Sequence, residues 1–210
     1  MSGFYEEILH FWFGDSLDSL DSVALRRELW FVRSDAFDRS IEAHFGTLPD
    51  RALRGEFDGW SGEARPALAL VLVLDQFPRN LYRGSPRSFE FDWKACEIAL
   101  RAIEAGLDQK LHPLEASFLY LPLEHSEDLL LQERSVDLYE ELVSRAPPDL
   151  RPMFEESVAY AARHRAVIRK FGRFPHRNAV LRRRSTGEEV AYLESGGETF
   201  GGADAGKGSD

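Results

Sequence analysis

Between Pro66 and Pro78 the chain reads ALALVLVLDQF (Ala67–Phe77), with eight successive apolar residues, Ala67 to Leu74, and no polar face. A segment apolar on every side has to be covered on every side, so the rest of the chain must wrap around this one. Periodicity alone does not separate a buried strand from a buried helix. Ala and Leu outnumber Val here, and Pro66 suits a first helical turn, so the run is expected to be a central helix. Pro78 is expected to end it and open a loop to Ser88. Eight apolar residues fall well short of the roughly 20 needed to cross a bilayer.

The flanking sequence supplies the wrapping. Phe4–Phe13 carries Ile8, Leu9, Phe11, Trp12 and Phe13 with Glu6 and Glu7 in the first turn, and Gly14 with Asp15 should stop it. Val23–Phe31 and Asp35–Phe45 place apolar residues at three-to-four spacing; Trp12, Trp30 and Phe31 are expected in the core. A short segment opens at Pro49. Asp92–Ala105 puts Ala95, Ile98, Ala99, Ala102 and Ile103 inward and closes at Gly106. Pro113–Leu121, Ser126–Val143 and Leu150–Phe171 follow, the last ending at Gly172, and Thr186 with Glu189 forms a capping-box pattern before a short terminal helix. With no convincing hairpin turn and no sustained alternation, the expected fold is all-α: a single domain over 1–195, with a disordered Gly-rich tail over 196–210.

The chain has 210 residues, enough to bury a core without staples, and its 43% hydrophobic and 30% charged residues are ordinary globular usage. The single cysteine, Cys96, excludes an internal disulfide framework, and no signal-peptide pattern opens the chain. A cytoplasmic location is expected on those grounds. The net charge of −10 argues against nucleic acid as partner. That charge is uneven: Arg163–Arg184 holds eight Arg, one Lys and two His with no acid.

Three groups of residues could carry chemistry. A short pattern occurs twice, as Gln76-Phe77-Pro78-Arg79-Asn80 and as Arg173-Phe174-Pro175-His176-Arg177-Asn178, each after a predicted helix. Its Arg and Asn can cap helix carbonyls or hold a ligand. The second group, Glu124-His125-Ser126-Glu127-Asp128, opens a long helix. There Ser126 is expected as N-cap, and Glu124 and Asp128, four apart, would share a face. A carboxylate beside an imidazole suits proton transfer. The Glu-x-x-His string that a di-metal bundle repeats is absent, so no metal ligand is assigned and no cofactor is named. The third group is the basic stretch itself, whose arginine face could pair with the acidic helix Glu127–Glu141, hold an anion, or meet RNA or an acidic protein.

LDQFPRNLYRGSPRSFEFD (Leu74–Asp92), FLYLPLEHSEDLLLQERSV (Phe118–Val136) and RHRAVIRKFGRFPHRNAVL (Arg163–Leu181), with ILHFWFG (Ile8–Gly14), closely resemble the bacterial domain-of-unknown-function family 924. The resemblance implies a single antiparallel helical-hairpin array of the tetratricopeptide-like superfamily, with no assigned activity. The family's signature positions fall on Asp75, Gln76, Arg79, Asn80, Arg83, Glu124, His125, Ser126, Glu127, Arg173, His176, Arg177 and Asn178. The chain departs from the family after Leu181, where Arg182, Arg183 and Arg184 stand in place of its usual glycine and glutamate.

Two functions compete at this point. In the first, the motifs converge on a pocket for an anionic small molecule, which the protein binds or turns over. His125, Glu124, His176 and Asp75 are its proton-transfer candidates, and Gln76, Arg79, Asn80, Arg83, Arg173, Arg177 and Asn178 its ligand contacts. In the second, the chain is a protein–protein interaction module and the charged motifs are clasps that lock helices together. The residue pattern does not decide whether the chain is an enzyme.

Overall fold

The computed structural model describes residues 3–14, 17 and 20–201. Asp15, expected to help stop the first helix, and residues 202–210 of the tail lie outside the described residues. The described residues form helices, turns and short 3-10 segments, with no strand among them.

The apolar run is the axis of the molecule. Helix α5 (Ala64–Val71) passes through one widened π-type turn (Leu72–Gln76) into α6 (Phe77–Leu81). Pro66 to Pro78 are all buried, and Ala67 to Asp75 expose no area. Three helices, α1 (Phe4–Phe13), α7 (Asp92–Glu104) and α8 (Pro113–Glu124), pack on α5; α3 (Asp35–Phe45) packs on α6, and α4 (Leu48–Leu53) on the π turn. Each leucine buried in this way contributes about 2 kcal/mol of transfer free energy.

Pro78 does not end the helix, contrary to the sequence expectation. A proline inside an α-helix has no N–H to donate and collides with the carbonyl four residues back. The widened turn makes room for it: the Phe77 N–H donates to Leu72 O, five residues back, and the helix runs on to Leu81. Such turns are rare and favour functional sites, and this one carries Asp75 and Gln76.

Around the axis, the Trp12 ring lies 5.8 Å from each of Phe37, Phe77 and Phe118 and stacks on Trp30 at 6.5 Å. Phe31 corrects the third core expectation: it is 66% exposed at the end of α2 (Leu20–Phe31), while Trp30 turns inward and donates its indole N–H to Trp12 O. The second half of the chain stacks as antiparallel hairpins, α9 (Leu129–Arg145) packing on both α8 and α10 (Arg151–Phe171).

The turn between α8 and α9 is also not as expected. Asp128, in extended backbone conformation, caps α9, accepting N–H bonds from Leu130 at 2.8 Å and Leu131 at 3.3 Å. The Ser126 hydroxyl accepts from the Asp128 N–H and is not the N-cap. Glu124 is thus the last residue of α8 and Asp128 the cap of α9, so the two share no helix face. Gly172 closes α10 with φ +67°, and Thr186 with Glu189 makes the expected capping box on α11 (Gly187–Glu194). Beyond α11, residues 196–201 fold back along α10, and Phe200 stacks on His164.

Candidate acid–base site at the helix ends

Asp75 sits in a run that exposes nothing, so its charge needs partners nearby. It has three. His125, the C-cap of α8, donates its Nδ1–H to Asp75 Oδ1 at 2.8 Å; Arg79 Nη1 lies 3.1 Å from the same oxygen; and Gln76 Nε2 donates to Oδ2 at 2.6 Å. Burial would raise the Asp75 carboxyl, but the Arg79 and His125 charges and these hydrogen bonds outweigh it and hold the group below the ordinary carboxylate range. Burial and the Arg79 charge push His125 below its ordinary 6.5, Asp75 opposing. The pair is therefore a carboxylate and a neutral imidazole at pH 7. Since Nδ1 carries the proton, Nε2 presents a bare lone pair, and no described residue hydrogen-bonds to it.

Arg79 belongs to the support of this pair. Its guanidinium forks onto Asp92, the first residue of α7, with both N···O distances 2.9 Å, and also donates to Asp75 O. Arg177, from the second copy of the repeated motif, approaches the same Asp92 at 4.0 Å. Both guanidinium groups lie over the Phe89 ring, Arg79 at 5.9 Å and Arg177 at 4.8 Å. The two motif copies therefore meet, through Asp92 and Phe89, two residues the sequence reading did not single out. Phe89 also lines a shallow depression of 520 Å³ with Ser85, Pro86, Arg87, Glu90 and Leu181.

Arg177 is the least neutralised cation of the group. It is 7% exposed, lies 4.3 Å from the Phe174 ring centroid, and donates from Nη1 to His125 O at 2.9 Å. Its Nε is buried with no hydrogen-bond partner. Burial and the Arg79 charge bring its pKa down to about 10, against the pull of Asp92.

Glu124 is 2% exposed and its carboxyl makes no hydrogen bond to a described residue; His164 Nδ1 stands 3.7 Å from Oε1. Burial, with Asp75 adding to it, pushes its carboxyl up to about 8, so it carries a proton at pH 7. His164 donates Nδ1–H to Tyr160 O at 3.1 Å, and burial drives it down to about 2. His176 is driven to about 4 by burial and by Arg177, and its Nδ1 has no partner. The turn that presents Glu124 and His125 is held by a residue the sequence analysis missed: Gln132 of α9 donates to Glu124 O and Ser126 O at 2.5 and 2.7 Å.

The remaining candidates are placed elsewhere. Asn80 and Arg83 both bind Asp38 of α3, Arg83 with a forked pair at 2.7 and 3.0 Å. Arg173 forks onto Glu189 at 2.6 and 2.7 Å, and Asn178 donates to Glu189 and Ser185. Glu127 accepts from the Phe174 N–H and from Arg183, which also binds Asn178 Oδ1. The structure brings Asp75, Gln76, Arg79, His125 and Arg177 together, sets Glu124 and His176 beside them around His164, and puts Asn80, Arg83, Arg173 and Asn178 in two separate clasps. Among the described residues, no cluster of three or more His, Cys, Asp or Glu is arranged to hold a metal.

Comparison with known proteins gives two matches. Residues 8–197 match the family described as "Bacterial protein of unknown function (DUF924)". A solved structure, that of the protein of unknown function ATU0120 from Agrobacterium tumefaciens, is 35% identical with a TM-score of 0.78, covering 92% of this chain and 98% of that one. No curated protein matches.

Proposed function

This chain belongs to the DUF924 family, which brings no chemistry to inherit, and from its own residues we propose that it binds a small molecule bearing a carboxylate or phosphate and moves a proton on it at His125. The observation that carries the reading is the Asp75–His125 pair. A buried carboxylate fixes Nδ1–H at 2.8 Å and leaves Nε2 bare, which is how an imidazole is held for general-base work. The unpartnered Nε of Arg177 is the donor for the anionic group. Glu124 is the nearby carboxylic acid that still holds a proton at pH 7. Asp75, Gln76 and Arg79 position the imidazole, and His176 borders the site. Asn80, Arg83, Arg173 and Asn178 act as clasps, because internal carboxylates already take their donors.

The test is a thermal-shift screen of carboxylates and phosphates at constant salt on the wild type, His125→Gln and Arg177→Met. A ligand that raises the wild-type Tm and loses its effect in Arg177→Met supports the reading, since a ligand selective for the folded state stabilises it by mass action. No hit across the panel with the protein folded overturns it. One observation favours an interaction module instead: Leu25 in the middle of α2, Phe31 at its end and Val32 just beyond it are 69%, 66% and 57% exposed. A blank screen together with a partner that protects these three residues from exchange would establish that second reading.

A further inference from the structure

The ring of Phe200 occupies a cage. His164 stacks on one face at 3.5 Å between centroids and 22° between planes. Tyr160, Phe174 and His176 meet it edge-on at 5.6, 5.8 and 5.9 Å. One face-to-face and three edge contacts make a slot for a flat aromatic ring.

Phe200 fits this slot poorly as a permanent core residue, on four counts. Its backbone has φ +49°, a left-handed conformation that a bulky side chain adopts only under constraint. The segment carrying it is held by a half-exposed ion pair, Glu198 to Arg163 at 3.1 Å, and by the Glu198 N–H donating to the Tyr192 hydroxyl. It lies beyond residue 197, where the family match ends. Most tellingly, a hydrocarbon ring leaves the buried Nδ1 of His176, one of the cage walls, unanswered. Buried polar atoms are normally paired, and a ring with nitrogen or oxygen on its edge would pair this one.

We propose that the cage of Tyr160, His164, Phe174 and His176 is a binding subsite for a planar, edge-polar aromatic group, and that Phe200 fills it in cis until such a group displaces it. Phe174 is a wall of this subsite and also carries Arg177, so the ring subsite adjoins the anion donor. The substrate class thus narrows to an aromatic compound with an acidic substituent, a refinement that rests on the acid–base reading, whereas the ring subsite itself does not.

The experiment measures indole binding by calorimetry on the full chain, because indole has the ring and edge N–H but no charge. Phe200→Ala empties the cage, and Glu198→Arg keeps the ring but turns its tether into a repulsion. Indole binding at least tenfold tighter than wild type in Phe200→Ala, lost again when His164→Leu is added, is the expected result. If Phe200→Ala does not fold, a tighter Glu198→Arg supports the proposal and an unchanged one overturns it. Two folded variants that bind indole no better than wild type overturn it outright. Indole binding with no response to any carboxylate or phosphate would leave the cage standing and remove the acid–base reading; an anion response without indole binding would do the reverse.

Discussion

Replacing Glu124 by Gln separates a site residue from a structural one by sign. The carboxyl is 2% exposed, has no hydrogen bond, and is pushed from an ordinary 4.5 to about 8, chiefly by burial. A group whose folded-state value is raised contributes its full stability below its unfolded value and loses it as pH rises towards the folded value. At about 1.4 kcal/mol per pH unit, wild type at pH 7 should lie about 3 kcal/mol below its own stability at pH 4.5 on this account alone. Gln mimics the protonated side chain and does not titrate. Glu124→Gln should therefore match wild type near pH 4.5 and exceed it by about 3 kcal/mol at pH 7, roughly 6–12 °C in Tm for a chain of this size. Urea unfolding of both proteins at half-unit steps from pH 4.5 to 8 reads the difference directly. A gap that does not grow with pH, or a variant less stable than wild type at pH 7, would refute the reasoning. A gain would also mark Glu124 as a residue kept at a cost in stability, as functional groups often are.

The paired charges should behave oppositely. Arg79→Ala strips the buried Asp75 and the 20% exposed Asp92 of their main counter-charge and should cost about 3–5 kcal/mol in chemical denaturation. Glu189→Gln disrupts the forked pair with Arg173 and should cost about 2–3 kcal/mol at pH 7. Burial opposes but does not outweigh the Arg173 bond that holds Glu189 down to about 2, so its contribution persists above pH 4.5 and fades only below it. The Glu189→Gln penalty should accordingly shrink on acidification, and ligand binding should be unaffected.

The legible part of the fold was whatever is local. The buried axis, Gly106 and Gly172 at helix ends, and the Thr186–Glu189 box all follow from spacing and cap chemistry within a few residues. Pro78 misleads because the π turn that accommodates it needs the packing of α4, α7 and α8 around Leu72–Gln76, which no local rule sees. Ser126 and Asp128 are both good caps, and only the geometry of the short turn chooses Asp128. Phe31 continues an apolar pattern, yet at the end of α2 its ring only borders the core, against Trp30 and Phe118, and stays 66% exposed.

The candidate site divides the same way. His125 and Asp75 were nameable as chemistry-bearing residues, but their pairing spans 50 positions. The repeated Phe-Pro motif drew attention to four arginines as one anion clamp. Three of them already fork onto carboxylates 13 to 45 residues away along the chain: Arg79 on Asp92, Arg83 on Asp38 and Arg173 on Glu189. Composition gives no hint of which Asp or Glu will do this, because acids outnumber bases 36 to 26. Arg177, enclosed by Phe89 and Phe174, is the one of these four with a buried donor left unused.

The central claim is that His125 is neutral, protonated at Nδ1 and bare at Nε2, and a long-range ¹H–¹⁵N correlation spectrum of histidine-labelled protein reads all three properties from the two ring-nitrogen shifts. The account predicts the Nδ1–H tautomer for His125 at pH 7, with charging only below pH 6.5, and collapse of that tautomer preference in Asp75→Asn. An Nε2–H tautomer, or an imidazolium at pH 7, would contradict it.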